Sequence, residues 1–249
     1  MKLDFETDAG IGTRATLGTI VLSTDETLEP EFARMTALDG VALYHSRIPM
    51  VAEINTDTLQ QMEHDLPASA QLLPTSLDFD VIGYGCTSAA TVIGQAGVAR
   101  AINSVFPQAK VTDPLTAIIA AANALGAKRL GFITPYIPDV SSRMRHKLEE
   151  AGFEIVAFGS FEESDDRVVA RISPTSIATA IDQVSAQADC DAIVVACTNL
   201  RCLNVIGKSE NRNRTRVITS NQALAWHMLR LAGVADPQTG FGKLYETTL

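Results

Sequence analysis

Two stretches of this chain, DVIGYGCTS (Asp80 to Ser88) and DAIVVACTN (Asp191 to Asn199), are variants of one phrase. Each runs from an aspartate through an apolar stretch to Cys-Thr and a small polar residue, and the second begins 111 positions after the first. LGTI at 17–20 is echoed by LGFI at 130–133, an offset of 113, and VALYHS at 41–46 by IVAFGS at 155–160, an offset of 114. The turn-plus-helix pattern after Thr112 returns after Thr219, about 107 positions on. A near-constant spacing over four elements is the signature of a repeated structural unit.

The unit is of α/β type. Continuous apolar runs at 16–22, 41–45, 81–85, 129–133, 154–158, 192–196 and 217–219 read as strands covered on both faces, as in a parallel sheet. Between them lie helical patterns at 29–38, 58–73 (with a break or kink at Pro67), 88–103, 115–125, 140–151, 174–187 and 221–231. Gly126 and Gly152 stand where left-handed helix ends need them, and Asp113-Pro114 and Ser173-Pro174 are helix starts. The expected architecture is two pseudosymmetric Rossmann-like half-domains with parallel sheets and a cleft between them. The first spans 1–114 and is completed by the C-terminal helix at 220–249; the second spans 115–219.

Composition removes several function classes. A net charge of −9, with basic residues scattered except between Lys208 and Arg216, does not make a nucleic-acid face. Acidic residues in MKLDFETDAGIGTRA replace the apolar core of a secretory leader, and no apolar run reaches membrane-spanning length, so a cytoplasmic protein is expected. The four cysteines and four histidines contain no C-x-x-C pair and are dispersed, so neither a disulfide framework nor a metal site is expected.

The cysteines instead carry chemistry. Ligands of parallel α/β sheets collect beyond the carboxyl ends of the strands, where Cys86 and Cys197 both fall. Across a pseudo-twofold axis the two thiols would face one cleft from opposite sides, a geometry for proton exchange on both faces of a carbon. A thiol of pKa ~8.5 is already near working pH. One cysteine as thiolate would remove a proton or attack a carbon while the other supplies a proton. Backbone N–H groups after each cysteine, with the hydroxyls of Thr87, Ser88 and Thr198, would hold a carboxylate, each donor contributing roughly 3 kcal/mol at a developing oxyanion. The plainer reading, thiols filling strand ends, suits Cys190 and Cys202, which lack the repeated context.

GCTSAAT and ACTNLR, together with LGTIVLSTDETLEPEF, HSR at 45–47, Pro135-Tyr136, DDRVVARI at 165–172 and TSNQALAW at 219–226, resemble the Asp/Glu racemase superfamily and within it the maleate cis-trans isomerase branch, including its relatives in ectoine utilisation. The likeness covers nearly the whole chain. It implies the two-half fold, no cofactor and no metal, a small carboxylate substrate, a homodimer, and Cys86 and Cys197 as the catalytic pair. The decarboxylase branch has a glycine where this chain has Cys86, so retention of both thiols disfavours decarboxylation. Thr87, Ser88, Tyr136, Thr198 and its neighbour Asn199 are similar to the carboxylate-binding set; Tyr136 is alternatively a turn tyrosine.

Two departures bear on the substrate. Thr24-Asp25 stands where maleate isomerases carry Ser-Asn, and Asp165-Asp166 where they carry Asp-Asn. An amide can donate to a carboxylate, whereas ionised Asp25 or Asp166 only accepts and would repel it. The expected substrate is therefore an amino acid or derivative; the alternative reading of Asp25 is the cap of the following helix. His45 and Arg47 are candidates for the cleft wall, with a surface ion pair the alternative for Arg47. The tract at 207–216 reads as a mobile loop, either a lid or a plain solvated connection, and Trp226 as core. Two competing functions remain: cis-trans isomerisation by thiolate addition, and a binding protein for small carboxylates without catalysis.

Overall fold

The computed structural model describes residues 1–50 and 56–249 and contains two four-stranded parallel sheets. β1 (Ala15–Leu22), β2 (Val41–Ile48), β3 (Val81–Gly85) and β4 (Lys110–Thr112) form the first, in the order β2-β1-β3-β4. β5 (Arg129–Thr134), β6 (Glu154–Ser160), β7 (Ala192–Val195) and β8 (Arg216–Thr219) form the second, in the matching order β6-β5-β7-β8. The repeat read from the sequence is thus a repeat of topology. The central strands β3 and β7 are buried at every residue, as their unbroken apolar runs require.

The connecting helices are α1 (Leu28–Met35), α2 (Thr56–Ala70), α3 (Thr87–Ile93), α4 (Gln95–Asn103), α5 (Pro114–Ala124), α6 (Pro138–Glu150), α7 (Asp166–Val169), α8 (Pro174–Ser185), α9 (Ile206–Asn213) and α10 (Ser220–Leu231). Asp113 accepts from the N–H groups of Leu115 and Thr116 and starts α5, and Ser173 starts α8 by accepting from Ser176. Gly126 and Gly152 sit at φ 67° and 89°, the left-handed conformation expected after α5 and α6. α10 lies across the first sheet, where Leu224 and Met228 press on β3 so closely that a Cβ at Gly83 would stand 2.6 Å from the Met228 sulfur. Trp226 is fully buried there, as expected of core.

Three expectations are corrected. The helix expected at 88–103 is two, because Gly94 at φ 78°, ψ 151° breaks it between α3 and α4. α2 runs through Pro67 and ends at Ala70. The tract at 207–216 is no open loop: most of it is α9, which buries Ile206, Ser209 and Glu210. Glu210 accepts from the N–H groups of Val217 and Lys243, and Arg212 and Asn213 are bonded to Asp182. α7, the edge strand β4 and a 3₁₀ turn at Lys243–Glu246 are additional elements. Among the described residues no helix is long and apolar enough to cross a membrane.

In each sheet the chain steps from the first strand to one edge, then returns to pair on that strand's other side, which makes a switch point between β1 and β3 and another between β5 and β7. The register sets Val21 beside Gly85 and Ile133 beside Val195. Four segments therefore leave the sheets at switch points: Ser23–Leu28, Cys86 with α3, Pro135-Tyr136, and Cys197 with the turn after it.

Candidate active site

These four segments meet. Thr198, immediately after Cys197, donates its hydroxyl to the carbonyl of Gly85, immediately before Cys86, at 3.3 Å. That single bond ties the two cysteine phrases together across the halves. Both cysteines are buried, at 2% and 3% exposure.

Cys86 is the N-cap residue of α3, in extended backbone, and its Sγ accepts from the N–H of Ala89 at 3.3 Å with the Ser88 hydroxyl 3.5 Å away. The N–H groups of Thr87 and Ser88 open the first helical turn, where no internal acceptor is in reach. Burial pushes the Cys86 thiol up to about 11; Ser88 and Ala89 pull it down, while the carboxylates of Asp166 and Asp25 raise it. Cys197 lies in an irregular turn after β7 and its Sγ accepts from the N–H of Asn199 at 3.3 Å. Burial raises this thiol well above its usual range, as does the charge of Asp166, while the Tyr136 phenol and the hydrogen-bonded Asn199 N–H act against them. Tyr136 is buried, and both thiols act on its phenol.

Asp25 and Asp166 come from opposite halves. Asp25 Oδ1 accepts from the N–H groups of Thr27 and Leu28 at 2.7 and 2.8 Å, which gathers the start of α1 as the capping reading expected. Its other oxygen, Oδ2, is buried and has no hydrogen-bond partner. Burial lifts this carboxyl to about 6. Asp166 opens α7, with Asp165 capping it, and its Oδ2 accepts from the Thr24 hydroxyl at 2.5 Å. Asn199 is committed on both sides: its Oδ1 accepts from the N–H of Glu26 and its Nδ2 donates to the carbonyl of Asp166. Thr87 points its hydroxyl at Ser220, 2.8 Å away at the start of α10. The structure thus gathers Thr24, Asp25, Cys86, Ser88, Tyr136, Asp166, Cys197, Thr198 and Asn199 at one junction and turns the Thr87 side chain toward α10.

Arg47, Glu31 and Asn221 brace the junction; the sequence marks Arg47 as a candidate for the cleft wall but does not single out Glu31 and Asn221 as site residues. Arg47 pairs with Glu29 at 3.0 Å, the surface role weighed for it, and also donates to the carbonyls of Leu22, Ser23 and Asp25, clamping the segment that carries Asp25. His45 is exposed on β2 and takes the Thr19 hydroxyl at Nδ1. Glu31, buried on α1, accepts from the N–H of Leu203 and from Asn221 Nδ2, and the same Asn221 nitrogen donates to the carbonyl of Thr198 at 2.7 Å. Burial lifts Glu31 to about 7. Cys202 is buried within reach of Glu31 and Cys197 but makes none of the junction's bonds, whereas Cys190 donates to the carbonyl of Ala188 elsewhere.

Two openings among the described residues do not reach this site. An opening of about 580 Å³ between Glu210, Arg214, Arg216 and Lys243, and one of about 210 Å³ between Thr91, Asp113, Thr116 and Lys147, both lie away from the cysteines. Convergent chemistry is the better guide, and it lies at the closed junction. Among the described residues no three His, Cys, Asp or Glu side chains converge as a metal ion requires.

Two matched α/β halves, each bringing a cysteine from its central strand to a shared buried junction, define the Asp/Glu racemase-like superfamily in its maleate isomerase branch. The chain belongs to the arylmalonate decarboxylase family, whose model matches residues 104–245. It is 25% identical over 241 residues to a maleate isomerase of Pseudomonas putida, covering 92% of this chain and 96% of the relative. It is 27% identical over 198 residues to the arylmalonate decarboxylase of Bordetella bronchiseptica, covering 79% and 78%. The crystal structure of a Pseudomonas putida maleate isomerase with maleate superposes with a TM-score of 0.85 at 26% identity, covering 93% of this chain and 97% of that one.

Proposed function

We propose that this chain is a cofactor-independent isomerase in which Cys86 and Cys197 act from opposite sides on a small carboxylate substrate, an amino acid or amino acid derivative. The observation that carries the reading is the meeting of both thiols with Tyr136, Asp25 and Asp166 at one buried junction. In the racemising form, one cysteine as thiolate takes the α-proton and the other thiol returns its own proton to the opposite face. The two sulfurs thereby exchange protonation states and no atom is gained or lost. The first-turn N–H groups after Cys86, the Ser88 hydroxyl and the Tyr136 phenol are the donors for the substrate carboxylate, on which the carbanion charge spreads. Both thiols are protonated in the empty site, so the active thiolate must be favoured by what binds.

A second reading is favoured by the maleate isomerases among the relatives. Here the thiolate adds to one carbon of a cis double bond, the electron pair moves toward the far carboxylate, the new single bond rotates, and expulsion of the thiolate restores the double bond in trans form. We also infer that the functional halves are 1–114 with 220–249, and 115–219, a division supported by the packing of α10 on β3.

Turnover in deuterium oxide separates the readings. The racemising form washes deuterium into the α position of recovered substrate. Thiolate addition leaves that position unlabelled and gives a protein mass adduct on one cysteine when the reaction is quenched with acid. Neither signal, with tight reversible binding of small carboxylates, would leave a binding protein and overturn the isomerase reading.

A further inference from the structure

We propose that Asp25 and Asp166, one from each half, form a two-carboxylate acceptor for a cationic nitrogen of the substrate and set its selectivity for zwitterions over dicarboxylates. This rests on the reading of Cys86 and Cys197 as the reacting thiols and adds the chemical class of the group bound beside them.

Three observations converge. Both side chains are almost fully buried, at 1% and 2% exposure, and neither forms an ion pair among the described residues. Buried carboxylates are costly unless a cation or a full set of donors meets them. Asp25 has its set on one side only: Thr27 and Leu28 satisfy Oδ1, whereas Oδ2 is unpartnered. The neighbouring Thr198 hydroxyl lowers the Asp25 pKa, but within hydrogen-bond geometry its one proton goes to the Gly85 carbonyl, which leaves Oδ2 an acceptor in want of a donor. Asp166 is close enough to Asp25 for its charge to be felt there, and both carboxylates act on both thiols. The unfilled acceptor therefore stands close enough to the reacting groups for its charge to act on them.

An ammonium matches this acceptor pair in chemistry. It brings several N–H donors and a positive charge to a place where two negative groups already stand. A second carboxylate on the ligand would meet only repulsion. The cation also offsets the Asp25 and Asp166 charges, which add to burial in raising both thiols, so the substrate's own nitrogen favours the thiolate that attacks it. An amine-bearing carboxylate is thereby bound and activated by the same contact, whereas a plain dicarboxylate gains neither benefit.

The test uses two methanethiosulfonate reagents of similar size, the cationic 2-aminoethyl and the anionic 2-sulfonatoethyl compounds, with modification at each cysteine followed by peptide mass spectrometry. Both reagents need the same thiolate, so the ratio of their rates at one cysteine reports the local field and not the thiol's ionisation. We expect the cationic reagent to modify Cys86 or Cys197 faster by about tenfold or more, and the ratio to fall toward unity in Asp25→Asn/Asp166→Asn. The ratio at Cys190, which lies outside the junction, should be unchanged. In each single variant the amide oxygen can still accept from Thr27 and Leu28, or from Thr24, so either gives the same comparison should the double variant fold poorly. Equal rates in the unaltered protein, a ratio indifferent to the substitutions, or no modification of either junction cysteine would each overturn the proposal. Cys86→Ser and Cys197→Ser distinguish its failure from that of the two-thiol reading. Charge-blind modification with turnover still dependent on both cysteines defeats the carboxylate pair alone, whereas turnover surviving either serine defeats the reading beneath it.

Discussion

Cys86 and Cys197 follow equivalent strands of equivalent sheets, yet the two are held differently. Cys86 caps a helix and takes its donors, Ala89 N–H and Ser88, from the residues that follow it. Cys197 enters an irregular turn, takes one N–H from Asn199, and depends on Tyr136, a residue from the end of another strand. Duplication has preserved the scaffold and not the surroundings of the sulfur. Matched sheets deliver two thiols to one place; what each does there is set by short segments in which the halves differ.

The strongest way to break this comparison is to remove one sulfur at a time. Cys86→Ser and Cys197→Ser should each lower kcat by about 10³-fold or more with thermal unfolding nearly unchanged, because serine fits either position. A variant retaining near-normal turnover would show that its half contributes scaffold only.

Tyr136→Phe sharpens it. Loss of the phenol should lower kcat by about 10²-fold and slow alkylation of Cys197 by iodoacetamide, while Cys86, whose donors lie within its own helix, reacts as before. Equal slowing at both sulfurs would mean that the two environments are not independent.

The smallest effect concerns stability against pH. Asp25 and Glu31 have folded-state pKa values of about 6 and about 7, above their ordinary values of 3.8 and 4.5. Between the unfolded and folded values the native state holds more protons than the unfolded chain, so stability falls as pH rises through that window. Each shift of about two units corresponds to an upper bound of about 3 kcal/mol. His227, buried against Thr112 and lowered to about 4, works the opposite way below pH 6.5, so the fall is clearest from about pH 6.5 to 7.5. Tm should drop over that interval, and Glu31→Gln should flatten the drop. An unchanged slope in the variant would place Glu31's proton outside the folding equilibrium.

Much of the scaffold was legible because parallel strands buried on both faces write themselves as unbroken apolar runs, and a duplicated unit writes them twice. α9 was not legible: KSENRN carries no apolar stripe, and the helix is held by Glu210, Arg212 and Asn213 reaching other segments. β4 has three residues, too few for a pattern, and the break at Gly94 is a backbone event inside a sequence with helical periodicity throughout. At the site, the repeated Cys-Thr context marked both thiols, and the acidic residues Asp25 and Asp166 stood out as two side chains that the fold then brings to the same junction. Glu31 and Asn221 stayed hidden because their hydrogen bond joins residues 190 positions apart, and no local spacing announces such a pair.

The bond from Asn221 to the Thr198 carbonyl has a consequence for how the protein comes into being. Asn221 opens the helix that also covers β3, so on a ribosome the cysteine-bearing loops of both halves have emerged well before the residue that fastens them. The nascent chain must carry two unfinished lobes, the first with a bare apolar face, until α10 has emerged. A translation pause just before that segment would hold the chain in its most aggregation-prone form.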